Sequence, residues 1–363
     1  MAKKSLTKTV AAEIGDRSSH NLSTFKKNKF LDKTSKFKKQ TWIPFSPAVR
    51  DELKYPGFPV GHISVIRGHS DTGKTTLFIE AAIEAQKANI LPVFIITEMK
   101  WDFEHAISMG FNAFRDVDTE TGELLGYDGD FLYIDRENLN SIEDVSAFIS
   151  DILNEQKKGK LPYDLLFLWD SIGSLPCEMS LNQGKNNPMW NAGAMAAQFG
   201  NFINQQIPLS RKESYPYTNT MIVVNKVGVR PPATPMEQPK RTNKAGDTMY
   251  WDASLVITFG NITNSGTSKI NAQYKGSKVE FAKRTKIAID KIHTGLGISS
   301  AGTVIVTPHG FIPDSKDAEK DYKSKWSHIW FNDTNINPDA IEVIEDSSEW
   351  NESNKTLMYD TDE

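Results

Sequence analysis

The chain has 363 residues, of which 39% are hydrophobic and 24% are charged, the balance of a globular protein with a sizeable core. A single cysteine excludes a disulfide framework and a cysteine-based metal site. The polar N-terminus predicts no signal peptide, and no apolar run reaches the ~18 residues of a membrane helix. We therefore expect a cytoplasmic protein without a membrane partner.

The net charge of −4 hides an asymmetry between the two ends of the chain. Seven lysines and one aspartate crowd residues 26–39, whereas nine acidic residues and one lysine occupy residues 339–363. Runs of like charge are usually solvated surfaces. Opposite runs on one chain also allow head-to-tail contact in an assembly, or control over the access of a polyanion. The sequence leaves these alternatives open.

From residue 62 the sequence alternates apolar strand patterns with longer helical patterns. The predicted strands are HISVIRG, LPVFIITE, FLYID, YDLLFLWDS and NTMIVVNK. The predicted helices are KTTLFIEAAIEAQKA, WDFEHAISMG, SIEDVSAFISDILNEQKKG and GAMAAQFGNFINQQI. Strands without polar alternation are buried on both faces, which is typical of a parallel sheet between helices. Three later strand patterns, ASLVITFG, VEFAKRTKIAIDKI and TVIVTPHG, predict a mixed or antiparallel extension of this α/β fold.

The loop between the first of these strands and its helix reads GHSDTGKT and fits the spacing G-x-x-x-x-G-K-[ST]. Its glycines let backbone N–H groups close around phosphate oxygens, and the helix N-terminus adds partial positive charge. Lys74 can reach the β- and γ-phosphates, and the Thr75 hydroxyl can ligate Mg²⁺. A chance glycine loop is the alternative, but the flanking strand and helix match the motif's context. The predicted nucleotide-binding residues are Gly68, His69, Ser70, Asp71, Thr72, Gly73, Lys74, Thr75 and Thr76.

Two acidic residues end neighbouring apolar strands and complete the chemistry of a nucleoside triphosphatase. Asp170 ends LLFLWD, where a carboxylate held at the sheet edge can bind the metal. Glu98 ends VFIITE, at the edge where the phosphates lie, so it can orient or deprotonate the attacking water. The alternatives are a turn or cap role for Asp170 and an exposed helix start for Glu98.

Two polar insertions, Met179–Trp190 and Val227–Thr248, are long for loops within a compact domain. Their basic, aromatic and thioether side chains can hold a phosphate backbone while apolar groups wedge between bases. Each insertion taken alone is more often an ordinary surface loop. The candidate DNA-binding residues are Lys185, Met189, Trp190, Arg230, Lys240, Arg241 and Lys244.

Taken in order, these motifs resemble the RecA-type recombinases, especially the UvsX type of bacteriophages. The similar segments are PVGHISVIRGHSDTGKTT, FIITEMKWDFEHAISMGF, YDLLFLWDSIGSLPCE, TMIVVNKVG and KAGDTMYWDASLVITFG, within about residues 28–312. The resemblance implies a RecA-type P-loop ATPase core with an antiparallel extension. It also implies ATP and Mg²⁺ as cofactors and a DNA-dependent ATPase that forms filaments on single-stranded DNA and pairs homologous strands in recombination and repair.

The resemblance further implies partners and a domain organisation. Single-stranded DNA and other copies of the chain, in a helical filament or ring, are the expected partners, together with a single-strand-binding protein and a loader. The location would be a bacterial cell or a phage-infected host cytoplasm. We interpret residues 1–50 as a basic arm for oligomerisation, 51–312 as the ATPase core with two DNA-binding loops, and 313–363 as an acidic tail.

Several individual roles follow from the resemblance alone. Glu98 takes the position of the family's catalytic glutamate, Asp102 that of an adenine-contacting aspartate, and His105 that of an aromatic residue over the base. Lys226 stands where the family has glutamine or histidine contacting the γ-phosphate, so its catalytic coupling would use an ammonium instead. The remaining roles are nucleotide contact across the subunit interface for Lys291, whose usual basic companion is replaced by Ile289, and a DNA-loop glycine for Gly246.

Two other functions remain open from the sequence. A RecA-fold motor such as a hexameric helicase uses the same core, although the short arm lacks the dedicated N-terminal domain usual in helicases. A nucleotide-gated DNA-binding or assembly protein with little turnover is the second alternative, which the lysine at position 226 keeps open.

Overall fold

A computed structural model describes residues 36–230, 240–243, 247–260, 267–274, 277–293 and 300–330. Its strands are β1 Trp42–Pro44, β2 Gly57–Pro59, β3 Ile63–Gly68, β4 Ile90–Ile96, β5 Phe114–Val117, β6 Leu124–Asp128, β7 Leu132–Asp135, β8 Asp164–Ile172, β9 Asn219–Arg230, β10 Lys240–Asn243, β11 Leu255–Phe259, β12 Thr267–Tyr274, β13 Ser277–Ile292, β14 Ala301–Thr307 and β15 Gly310–Pro313.

The α-helices are α1 Pro47–Leu53, α2 Lys74–Lys87, α3 Phe103–Ser108, α4 Ile142–Lys157, α5 Glu178–Asn182, α6 Pro188–Met195, α7 Asn204–Leu209, α8 Thr248–Asp252 and α9 Lys316–Trp330. A π-helical segment, Ala196–Ile203, joins α6 to α7. None of the helices in the described ranges is long and apolar enough to cross a membrane.

Within the described residues, eleven strands form one sheet in the order β15-β14-β13-β11-β3-β9-β8-β4-β7, with β10 paired to β9 and β12 to β13. The strands from β11 to β7 in this order run parallel to one another. The strands β12 to β15 and β10 add to the sheet in antiparallel pairs. The prediction of an α/β fold with a mostly parallel central sheet and an antiparallel extension is confirmed.

The parallel strands bury both faces, as their unbroken apolar patterns predict. In β3, Ile66 packs with α1 and α2 on one face, whereas Val65 packs with α4 and the π-helical segment on the other. A third, smaller core joins β12, β13 and β14 to α9 through Ile270, Phe281 and Tyr322. The parallel part of the sheet therefore packs between two layers of helices, and this packing fixes the positions of its strand ends.

The folded body begins earlier than the interpretation of residues 1–50 as an arm implies. Strand β1 pairs with β2, and Ile43 and Val49 are fully buried against the α2 side of the sheet. These apolar side chains would otherwise be left in water, so the segment 42–50 packs onto the core. Residues 1–35 lie outside the described part of the chain.

Four other segments differ from the sequence interpretation. Strand β9 continues past Lys226 to Arg230 and pairs with β10, so part of the predicted 227–248 loop is a two-stranded ribbon. The 179–190 insertion contains α5 and the start of α6, and the region assigned to an acidic tail begins with α9. The hairpin β5–β6 was not predicted, because its short strands are exposed and show no buried alternation.

Candidate functional site

A cavity of about 380 Å³ opens at the sheet edge where β3 and β4 end, next to β8 and β9. In β3, Gly68 lies opposite Lys226 of β9, and Ile96 of β4 lies opposite Asp170 of β8. Parallel strands end at the same edge, so side chains at or just beyond these positions meet. The cavity is lined by Ser70, Asp71, Lys74, Thr75, Ile96, Glu98, Lys100, Trp101, Asp170, Val224 and Lys226.

The loop from Gly68 to Gly73 needs glycine at both ends. A Cβ at Gly68 would lie 2.6 Å from the carbonyl oxygen of Phe259, and Gly73 has a φ of 99°, in the left-handed region. Between them, the Thr72 hydroxyl donates a hydrogen bond of 3.0 Å to the carbonyl oxygen of His69. The loop is therefore tightly closed and leads directly into the N-terminus of α2.

Lys74, the first residue of α2, is only 6% exposed. Its ammonium donates a hydrogen bond to the carbonyl oxygen of His69 within the same loop. Burial lowers the pKa of Lys74 to about 8, with Asp170 opposing the change and Lys226 adding to it. A bound anion would stabilise the charged form of this lysine, because the cavity itself penalises it.

Thr75 and Asp170 place two oxygens beside each other at the cavity wall. The Thr75 hydroxyl lies 3.5 Å from Oδ2 of Asp170. Burial, and after it the nearby charge of Glu98, raises the pKa of Asp170 to about 6. Carboxylate and hydroxyl oxygens are ligands that Mg²⁺ prefers, and a cation would relieve the repulsion that raises this pKa. The donor set fits Mg²⁺.

Glu98 lies two residues beyond the end of β4 and is held from two sides. The Ser171 hydroxyl donates to Oε1, and Nζ of Lys226 lies 2.5 Å from Oε2. Burial alone would raise the pKa of Glu98, but the hydrogen bonds from Lys226 and Ser171 outweigh it, so the pKa is lowered. The carboxylate is thus ionised at neutral pH, which is the form that a general base requires.

Three residues that the resemblance assigns to the nucleotide do not line the cavity. Asp102 caps α3 by accepting a 3.1 Å hydrogen bond from the backbone N–H of His105. The His105 ring lies 2.8 Å, through Nε2, from the carbonyl oxygen of Pro308. Lys291 donates to the carbonyl oxygens of Tyr250 and Trp251 at the end of α8. The contacts within this single chain give each of the three a structural role.

The candidate DNA-binding residues fall into three groups. Lys185 is exposed between α5 and α6, Met189 is 82% exposed on α6, and Trp190 packs partly against the core. Arg230 and Lys240 face each other in the β9–β10 register, next to Arg241. Their side chains, and all of Lys244 and Gly246, are outside the described part of the structure.

Sequence reasoning missed three residues around the cavity. Lys100 and Trp101 line it just after Glu98, a position that motif spacing alone does not mark. Lys283 of β13 forms an ion pair with Asp71 in the glycine loop. The two are 212 residues apart in sequence, and only the position of β13 in the sheet brings them together.

A comparison of the chain with protein-family models finds no match. Among curated proteins, the chain is similar to the RecA protein of Picosynechococcus sp., with 37% identity over 78 residues. The match covers 22% of this chain and 21% of that protein, so the chain spans about a fifth of its relative's length. This likeness points to RecA-like proteins and does not distinguish the phage type.

Proposed function

We propose that this chain is a DNA-dependent ATPase of the recombinase kind, which assembles on single-stranded DNA and pairs homologous strands. The observation that carries the proposal is the convergence of Lys74, Thr75, Glu98 and Asp170 on one cavity at the end of the glycine loop. The similarity to a RecA protein over 78 residues supports the recombinase kind over other ATPases.

The residues would divide the work of ATP hydrolysis as follows. Lys74 and the backbone N–H groups of the loop would hold the phosphates, since burial leaves this ammonium in need of an anion. Thr75 and Asp170 would hold Mg²⁺, which when bound neutralises phosphate charge as the γ-phosphoryl group leaves. Glu98, ionised through its hydrogen bonds, would orient the attacking water and accept its proton.

DNA would bind on the elements that follow the same sheet edge. The β9–β10 ribbon begins directly beyond Lys226 and brings Arg230, Lys240 and Arg241 together. Exposed Met189 lies on the second element and can stack against bases. Copies of the chain would assemble along the strand as a filament or ring, and a single-strand-binding protein and a loader would act on the same DNA.

One observation favours a second function, that of a nucleotide-gated DNA-binding protein with little turnover. In the described structure the carboxylate of Glu98 is engaged by Lys226 at 2.5 Å, which restricts its ability to accept a proton. A permanent ion pair of this kind would slow hydrolysis while leaving the phosphate loop able to bind nucleotide.

Phosphate release tests the proposal directly. We expect the wild type to hydrolyse ATP only with Mg²⁺ and faster with single-stranded DNA, and negative-stain microscopy should show filaments with ATP and DNA together. Nucleotide binding with negligible hydrolysis in the presence of DNA would favour the gated binding protein. Absence of nucleotide binding by the wild type would refute both functions.

A further inference from the structure

Lys226 lies next to the start of the glycine loop and also contacts Glu98. Its backbone lies opposite Gly68 in the parallel register of β3 and β9, and its ammonium reaches Oε2 of Glu98. The side chains of Lys226 and Glu98 are 26% and 15% exposed, so this is not a solvent-screened surface pair. Solvent therefore screens the attraction between these two charges less than it screens an exposed ion pair.

The charges around the pair determine what can break it. Lys74 donates a hydrogen bond to the carbonyl oxygen of His69, and Asp71 in the glycine loop forms an ion pair with Lys283. A terminal phosphate carries more negative charge than a carboxylate and can compete for an ammonium that lines the same cavity. Lys226 is the cation that contacts Glu98 in the described structure, so it would have to move for Oε2 of Glu98 to be free, whereas the Ser171 hydroxyl can stay on Oε1.

We propose that Lys226 and Glu98 form a latch that a nucleoside triphosphate opens and a nucleoside diphosphate leaves closed. This inference rests on the proposed ATPase function and adds regulation to that site. The γ-phosphate withdraws Lys226 from Glu98, and the released carboxylate then meets water. A diphosphate has no third phosphate with which to compete, so the ion pair persists and Glu98 stays engaged.

The latch makes a specific prediction about affinity, because opening it costs part of the binding energy of the triphosphate. In Glu98→Gln the partner of Lys226 loses its charge, so the latch is open in advance. We expect this variant to bind a non-hydrolysable ATP analogue about five- to tenfold more tightly than the wild type, at the low end of coupling between sites. Its affinity for ADP should change less than about twofold.

A double-mutant cycle separates the latch from simple removal of a negative charge. Isothermal titration calorimetry with the analogue and with ADP, each with Mg²⁺, is applied to the wild type, Glu98→Gln, Lys226→Met and the double variant. The latch requires the gain from Glu98→Gln to disappear when Lys226 is already absent. Lys226→Gln serves the same purpose if the methionine variant does not fold.

Lys100→Met is the matched control, because Lys100 lines the same cavity and its 2.6 Å hydrogen bond to the carbonyl oxygen of Glu98 comes from the backbone N–H, which the substitution keeps. The gain from Glu98→Gln should persist in the Lys100→Met background. An equal gain in the Lys226→Met background, or no gain in Glu98→Gln, would overturn the latch while nucleotide binding itself stands. Failure of the wild type to bind either nucleotide would overturn the proposed function and the latch with it.

Discussion

The parallel and antiparallel halves of the sheet use charged residues in opposite ways. Where β3 and β4 end beside β8 and β9, charges gather in one cavity, and burial shifts the pKa of Lys74 down and that of Asp170 up. In the antiparallel half, Arg284 of β13 lies 2.6 Å from Asp314 in a pair of ordinary structural kind. Antiparallel strands end at alternating edges, so charges such as this pair do not converge on one edge of the sheet.

This difference separates residues that serve binding from residues that serve stability. Groups that line the cavity and whose charged forms are penalised by burial are candidates for ligand binding, because the fold does not need those charges for itself. Locally paired charges on the antiparallel strands stabilise the scaffold modestly. Substitutions of the cavity residues should therefore change nucleotide binding. Substitutions in the antiparallel half should change the stability of the fold or the conformation of the loop that it supports.

The largest effect is expected at Lys74. Replacing it with alanine removes the buried ammonium that would face the phosphates, and truncating such a charge partner costs about 2–5 kcal/mol. We expect nucleotide affinity to fall by about 10²-fold or more in calorimetric titrations. Lys87→Ala, which removes an exposed lysine from the same helix, is the control and should bind as the wild type does. Equal affinities for the two variants would remove Lys74 from the phosphate site.

Glu98→Gln should separate binding from turnover. The amide keeps the shape of the side chain but cannot accept a proton, and loss of a general base costs about 10²-fold or more. We expect phosphate release to fall by that factor while nucleotide binding is not weakened. Glu104→Gln, a carboxylate paired with Arg115 outside the cavity, is the control. Wild-type turnover in Glu98→Gln would show that another group activates the water.

Lys226→Ala should weaken communication between the nucleotide and DNA. The β9 strand runs from this residue into the ribbon with β10, so a ligand at Lys226 can bias that ribbon if it interacts differently with two arrangements. We expect the wild type to bind single-stranded DNA more tightly with an ATP analogue than with ADP, by about 1–3 kcal/mol.

In the Lys226→Ala variant the difference in DNA affinity between the two nucleotide states should be smaller, while most of the nucleotide affinity is kept. The Lys100→Ala variant should show the same difference in DNA affinity as the wild type. DNA titrations at two salt concentrations provide the measurement, and affinity should fall steeply with salt because phosphate contacts dominate. Equal DNA affinities in both nucleotide states of the wild type would contradict the coupling between nucleotide and DNA.

The hairpin β5–β6 could not be read from sequence, whereas the alternation of the core strands with helices, the parallel sheet and the placement of Glu98 and Asp170 at one sheet edge could. Each depends on local periodicity or on spacing from one strand. The rest depends on packing: VGVR, with its glycine and the prolines that follow it in the sequence, looks like a loop, yet β9 continues to Arg230 by pairing with β10. Likewise, the partner of Asp71 could not be found, because no local pattern links it to Lys283.

Glu80 tests the structural half through the pH dependence of stability. Its carboxylate accepts hydrogen bonds from the N–H of Phe311 in β15 at 3.0 Å and from the Ser46 hydroxyl at 2.8 Å. Burial nevertheless raises its pKa from 4.5 to about 7. The folded state thus holds this proton more tightly than the unfolded state, and stability is lost as pH rises from about 4.5 through about 7.

Glu80→Gln removes the titration while keeping groups that can hydrogen-bond to Ser46 and Phe311. We expect its unfolding free energy to exceed that of the wild type by about 1–2 kcal/mol at pH 8 and to equal it near pH 4.5. This difference lies within the ~1.4 kcal/mol that each unit of pKa shift contributes to stability. Denaturant titrations across this range measure it, with Glu84→Gln on the same helix as the control. A difference that does not vary with pH would rule out the buried carboxyl as its source.

The smallest effect is expected where the antiparallel half touches the cavity, at the ion pair of Lys283 and Asp71. The Asp71 side chain is 79% exposed, so the pair is worth at most about 1 kcal/mol. Lys283→Met leaves the aspartate negative beside the phosphates and should weaken nucleotide binding about two- to threefold. Asp71→Asn should strengthen it by a similar factor, and asparagine tolerates the left-handed φ of 66° at this position. Lys286→Met, an exposed lysine of the same strand, is the control. Changes of the same sign in the Lys283 and Asp71 variants would mean that the pair acts by shaping the loop, and opposite signs would mean that it acts by neutralising charge.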